Sequence, residues 1–194
     1  MYLPISDGLA LRSFRKGDEQ ALVKELDDWQ VAQWLARLPY PYQMEDAAAW
    51  VSAHEAAGAA PPFALCITED GRLIGGVGLT ACDDPGTLEL GYWLSVPAWG
   101  KGIMTKVVSS LLAEVRQRMP GVVIEAGVEP QNSGSANVLK KCGFTETGGT
   151  TIWSEPRQQR VPLRRFYCVC RADPLQAGRI PSACCWRVIA SKRA

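Results

Sequence analysis

The first regular pattern along the chain is Leu9-Ala10-Leu11-Arg12-Ser13-Phe14, apolar and polar by turns, which predicts an edge or half-buried strand. The spacing then changes. Leu22, Leu26 and Trp29 recur at helical intervals behind Asp18, a residue type that caps helices, so a first helix is predicted from about Asp18. Leu38-Pro39-Tyr40-Pro41-Tyr42 cannot extend a helix, because proline removes a backbone donor and restricts the residue before it. A second helix is predicted from about Glu45 to Ala57, ended by Gly58.

Three strand-like runs follow at short spacing: Phe63 to Thr68, Leu73 to Leu79 and Leu88 to Leu94. Glu69-Asp70-Gly71 between the first two is a hairpin signal. From about Lys101 to Arg118 the apolar residues Val107, Val108, Leu111, Leu112 and Val115 line one face of a long amphipathic helix, which Pro120-Gly121 stops. Val122 to Val128 reads as a buried strand, Ser133 to Lys141 as a short helix, and Phe144 to Trp153 with Val161 to Arg171 as a closing strand pair. The expected fold class is therefore α/β, a mixed central sheet of about seven strands flanked by helices on both faces. Residues 1–171 form the expected domain, and residues 172–194 an extension with weak patterning.

At 194 residues, 47% of them hydrophobic, the chain suffices for one well-buried core and is short for two ordinary domains. Met1 to Gly8 has neither a basic leader nor an apolar core of signal-peptide length, and no later run reaches membrane-spanning length, so a cytoplasmic protein is expected. The net charge of +1 hides an asymmetry: residues 1–154 carry 12 bases and 18 acids, residues 155–194 carry 9 bases and 2 acids. The basic tail reads as a solvated arm; contact with an anionic surface such as ribosomal RNA, or with the opposite subunit of a homodimer, is the second reading. No aromatic interleaving marks a nucleic-acid platform.

Seven scattered cysteines, an odd number, favour reduced thiols over a disulfide framework. Cys168 and Cys170, with Cys184 and Cys185, could be read as soft metal ligands, but a spacing of two on an apolar strand makes Cys168 and Cys170 core residues, and no metal is expected. His54 is the only histidine, which removes Ser/His/Asp and multi-histidine chemistry. Between a strand and a helix lies Trp99-Gly100-Lys101-Gly102-Ile103-Met104-Thr105, where glycines admit a close ligand and the helix start offers unpaired N–H groups to a pyrophosphate. Tight turns need glycine too, and the loop is neither a Walker A nor a Rossmann fingerprint.

Its surroundings narrow the choice. Leu90-Gly91-Tyr92-Trp93-Leu94-Ser95-Val96-Pro97, the glycine loop, and Asn132-Ser133-Gly134-Ser135-Ala136-Asn137-Val138-Leu139-Lys140-Lys141-Cys142-Gly143-Phe144 together resemble the GNAT superfamily of N-acetyltransferases over about residues 8–171. Within it the chain is similar to the branch of ribosomal-protein N-terminal alanine and serine acetyltransferases (Rim type). The loop departs from the family pattern at Trp99, where Gln or Arg is usual, and at Met104, a variant that the Rim-like branch shares.

The resemblance implies acetyl-CoA as co-substrate. Lys101, Gly102, Ile103, Met104 and Thr105 would cradle the pyrophosphate through the backbone. Leu94 and Val96, on a strand that splays from its neighbour in this fold, would bind pantetheine and polarise the thioester carbonyl, with Asn132 close by. Ser135 matches the hydroxyl that protonates the departing thiolate, although Asn132 and Ser135 are also residue types that cap helices. For the base, Glu89 matches an acidic position of the branch; Glu155 and water are the alternatives. Trp34, Tyr40 and Tyr42 would wall the acceptor cleft, with core packing as the other reading of all three, of Trp34 above all. The expected reaction is acetyl transfer to an amine, first a protein or peptide N-terminal α-amine; the alternatives are a polyamine, amino acid or aminoglycoside, or a module that binds CoA without catalysis.

Overall fold

The structure, a computed structural model, describes residues 2–55 and 63–170. Gly58, Cys184, Cys185 and the extension expected from residue 172 lie outside the described residues. One eight-stranded sheet runs in the order β1-β2-β3-β4-β5-β6-β8-β7, formed by β1 (Tyr2–Ser6), β2 (Leu9–Ser13), β3 (Phe63–Glu69), β4 (Arg72–Ala81), β5 (Thr87–Leu94), β6 (Val123–Val128), β7 (Thr145–Ser154) and β8 (Gln159–Val169). Every neighbouring pair is antiparallel except β5 and β6. The strand absent from the sequence reading is β1. It is a half-exposed edge whose Pro4 would be out of place in a central strand, and Leu3 and Ile5 pack on the main core from it.

Helices cover the two faces unequally. On one face α4 (Ile103–Arg118) and α5 (Ser133–Lys141) bury Val107, Val108, Leu111, Leu112 and Leu139 against Leu88, Leu90, Ile124 and Phe166. Cys168 and Cys170 are buried in this same core. On the other face α1 (Glu19–Leu26), α2 (Trp29–Ala32) and α3 (Met44–Glu55) enclose a smaller core of Phe14, Leu22, Leu26, Val31, Tyr42, Ala47 and Val51. No helix among the described residues is long and apolar enough to cross a membrane, and none of their His, Cys, Asp or Glu side chains group to hold a metal ion.

The first predicted helix is two. α1 stops at Asp27, and Asp28 opens α2 by accepting from Gln30 N at 2.8 Å, while Asp27 accepts from Tyr42 N at 3.0 Å. Trp29 therefore leaves the apolar face of Leu22 and Leu26, stays 43% exposed and packs on Tyr40 with ring centroids 5.1 Å apart. Asp18 stands at the amino end of α1 without capping it. Arg12 takes both its oxygens at 2.7 Å and Arg15 N a third contact at 3.0 Å, so the carboxylate has no reach left for the helix amides. Burial pushes the Asp18 carboxyl up, but those donors outweigh it and hold it below the usual carboxylate range.

Candidate active site

The sheet opens in its middle. β5 and β6 pair in parallel only from Thr87 to Glu89 against Val123 to Glu125; beyond that, Leu90 to Leu94 and Ala126 to Val128 have no partner on the facing edge. Each strand remains paired on its outer side, β5 to β4 and β6 to β8, so the wedge between them is rigid on both walls. Ser95 N donates to Ile74 O at 2.8 Å and fixes the strand end, after which Val96 begins a short 3₁₀ turn. As the first residue of that turn Val96 has no acceptor within it for its N–H. The Leu94 carbonyl, by contrast, accepts the Trp99 indole N–H at 2.8 Å. The unusual Trp99 thus ties the strand end to the glycine loop.

Gly100 and Gly102 both have φ of +74°, a left-handed conformation that disfavours any side chain, and a Cβ on either would meet nothing within 4 Å. Space therefore lies in front of both. Gly102 is the N-cap of α4 and offers no side chain to the first amides, which leaves the N–H groups of Ile103, Met104 and Thr105 to a ligand. The Ile103 and Met104 side chains are buried, so their contribution is main-chain, whereas Lys101 is exposed and adds positive charge. These groups suit a pyrophosphate.

Across the wedge, Asn132 caps α5 by accepting Ser135 N at 3.0 Å. The Ser135 hydroxyl does not cap. Its Oγ lies 2.8 Å from the Tyr92 hydroxyl, which is also 3.2 Å from the Ser135 carbonyl oxygen. Burial pushes the Tyr92 phenol far up, against the opposing effect of the Ser135 hydrogen bond, so it remains a neutral donor at any working pH. Sequence reasoning passed over Tyr92. The available signal was a phenol inside the apolar run Leu90 to Leu94, because a buried tyrosine hydroxyl requires a partner.

Glu89 stands on the opposite face of β5. Its Oε2 accepts from Arg37 at 2.7 Å, and next to it on β6 Glu125 pairs with Arg165 at 2.7 Å. Trp34 is half-buried beneath the Arg157 guanidinium, 5.3 Å from the ring centroid. Tyr40 is 39% exposed, whereas Tyr42 is 3% exposed within the smaller core, where burial and then Asp46 push its hydroxyl up to about 12. Of the three aromatics, Trp34 and Tyr40 reach the surface. Glu155 lies at the β7–β8 turn, its N–H donating to Ala36 O at 2.8 Å and its side chain accepting from Gln158. A surface depression of about 480 Å³, lined by Glu125, Thr147, Gly148, Arg165 and Tyr167 among others, lies farther along this face and includes none of the predicted residues.

Residues 9–145 match the family model of the GNAT acetyltransferase domain. The chain belongs to the GNAT acetyltransferase family. Members of this family use acetyl-CoA, and this acetyltransferase has the open wedge and glycine loop that such a donor requires. It is 27% identical over 164 residues, 83% of its own length and 92% of the relative's, to p20 of Bacillus licheniformis, an uncharacterized N-acetyltransferase. Its fold matches RimL, a ribosomal L7/L12 α-N-protein acetyltransferase solved with coenzyme A, at a TM-score of 0.76 with 20% identity, over 89% of this chain and 100% of that one. It also matches spermidine N-acetyltransferase from Vibrio cholerae, solved with CoA and spermine, at 0.69 with 17% identity, over 84% and 96% of the two chains.

Proposed function

We propose that this acetyltransferase acetylates the α-amine of a protein or peptide N-terminus. The observation that carries the reading is the Tyr92–Ser135 hydroxyl pair beside the wedge, a proton donor with its own orienting partner. Acetyl-CoA supplies an activated acetyl thioester. The amides of Ile103, Met104 and Thr105 hold its pyrophosphate, helped by Lys101 and the clearance over Gly102, and Asn132 lies along the pantetheine arm. Val96 N–H, a donor without a partner in its own turn, polarises the thioester carbonyl, while the Leu94 carbonyl is occupied by Trp99. With the Tyr92 hydroxyl as donor to Ser135, the Ser135 proton is left for the departing thiolate. Glu89, tethered by Arg37 at one oxygen, keeps the other for the amine or a bridging water; Glu155, bonded to Gln158, is the second choice.

An α-amine has a reference pKa of about 7.7–8.0 against about 10.4 for lysine, so such an acceptor needs little help in losing its proton. Trp34 and Tyr40 wall its approach, and Tyr42 supports that wall from the core. The likeness to RimL supports a protein acceptor. The likeness to spermidine N-acetyltransferase favours a small polyamine instead, but Glu89 and Glu125 are each already neutralised by an arginine, which suits a polycation poorly. Thiol release from acetyl-CoA, measured with peptides beginning in serine or alanine, with spermidine and with an aminoglycoside, tests the choice. The peptides are expected to show the highest kcat/KM. A preference for spermidine or the aminoglycoside refutes the N-terminal reading.

A further inference from the structure

Glu129 follows β6 directly, past the unpaired stretch that opens the wedge. Along β6, Ile124, Ala126 and Val128 turn into the main core while Glu125 and Gly127 face the other way, and the alternation carries Glu129 toward the side of Trp34 and Glu89. Its contact with Arg157, which stacks on Trp34, agrees with that placement. The Glu129 side chain is only 7% exposed, yet among the described residues its carboxylate has one partner, Arg157 Nη2 at 3.5 Å. That is well beyond the roughly 2.7–2.9 Å of a charge-assisted hydrogen bond. Arg157 cannot come closer without giving something up. Its Nε donates to Gln33 O at 3.2 Å, and its Nη2 also lies 3.5 Å from Gln33 Oε1.

A carboxylate offers about four acceptor sites, and one that is largely buried with a single distant arginine as its protein partner is costly to retain. Hydrophobic burial explains nothing here, because a neutral side chain would fill the same volume at lower cost. The Glu129 backbone does have a structural task, since its carbonyl accepts Asn132 N at 2.9 Å and sets the turn into α5. Any residue could perform it. The side chain is what needs a reason, and it lies one turn of chain from the asparagine that borders the pantetheine arm.

We infer that Glu129 is the anionic subsite that receives the acceptor's ammonium group before it loses its proton, with Arg157 holding the carboxylate in line and Trp34 forming the adjoining wall. The inference rests on the acetyl-transfer reading above and adds the residue that selects a cationic head group. Burial holds the Glu129 carboxyl above the usual carboxylate range, opposed by Arg157, and such a carboxylate gains more from an arriving cation than a solvated one does. Arg157 is the charged group facing it. A second cation on the open side completes the hydrogen bonding that Arg157 alone leaves unmade.

Glu129→Gln keeps the shape and removes the charge. With the best acceptor of the peptide, spermidine and aminoglycoside panel, its acceptor KM is expected to rise about 10- to 100-fold, the worth of one charge-assisted hydrogen bond, while the acetyl-CoA KM and the melting temperature stay near wild type. Glu129→Asp should recover part of the loss. A wild-type acceptor KM in an active Glu129→Gln enzyme overturns the inference and leaves the acetyl-transfer reading standing, as does an equal rise in both KM values. Wild-type protein that releases no thiol with any acceptor overturns both.

Discussion

Placing aspartate at Gly102 separates the folding role of the glycine loop from its ligand role. Gly102 has φ of +74°, so any side chain there costs about 1 kcal/mol of backbone strain, somewhat less for aspartate, which tolerates this region better than most residues. A Cβ meets nothing within 4 Å, so no steric term is added. In a chain of 194 residues that strain lowers the melting temperature by only about 2–4 °C. Binding responds differently. A carboxylate about 5 Å from one phosphate charge, at an effective dielectric of about 20, is repelled by roughly 3 kcal/mol, a factor of about 200 in affinity. It would also compete for the amides of Ile103 to Thr105. Gly102→Ala shares the strain without the charge and serves as the control. Calorimetric titration with acetyl-CoA should show the aspartate variant weakened at least 100-fold and the alanine variant far less, with the aspartate deficit shrinking in high salt. Equal affinities for all three proteins, or an aspartate variant that is simply unfolded in a thermal melt, refute the reasoning.

Two further outcomes are expected. Ser135→Ala should lower kcat by on the order of 10²-fold with an unchanged acetyl-CoA KM, and Tyr92→Phe by a smaller factor; the double variant should fall little below Ser135→Ala, because the two hydroxyls act as one unit. Steady-state kinetics of the three variants check this, and additive losses would separate Tyr92 from the proton path. Asp18→Asn should cost about 3 kcal/mol in denaturant unfolding, because it strands Arg12. The folded carboxyl is held below its unfolded value of about 3.9, so its contribution is complete above that pH and is lost as pH falls through the folded value. The asparagine variant should therefore show a flatter loss of stability below about pH 4; a wild-type acid limb would show that Asp18 is not the group concerned.

The central part of the fold was legible because its signals are local. Val122 to Val128 is apolar apart from Glu125 and Gly127, α5 has the bounds read from Ser133 to Lys141, and α4 shows its apolar stripe from Val107 to Val115. The hairpin signal at Glu69-Asp70-Gly71 was met by a turn with positive φ at Asp70 and Gly71. Legibility failed where a tertiary partner outbid a local preference. Asp18 has the residue type of a cap but is taken by Arg12, six positions away, and the Leu22-Leu26-Trp29 spacing continues helically past a break that Asp27 and Asp28 impose. Tyr42 reads as one wall of the acceptor cleft, yet it is buried in the smaller core with Leu26 of α1 and Ala47 of α3. The Tyr92–Ser135 contact spans 43 positions and the Arg157–Gln33 contact 124, distances at which one sequence without structure carries no pairing information.

An unpaired strand edge normally lies at the rim of a sheet, where it invites a foreign strand. Here the free edges of Leu90 to Leu94 and Ala126 to Val128 face each other in the interior, held apart because the parallel register ends after three residue pairs. A folded polypeptide has no way to fill that gap without closing its own site. A slender molecule bearing amides of its own can fill it, laid alongside β5 and bonded by the rules of strand addition. A donor held in that way is recognised less as a ligand in a pocket than as a missing length of backbone, and side chains along the wedge are then free to vary so long as the gap keeps its width.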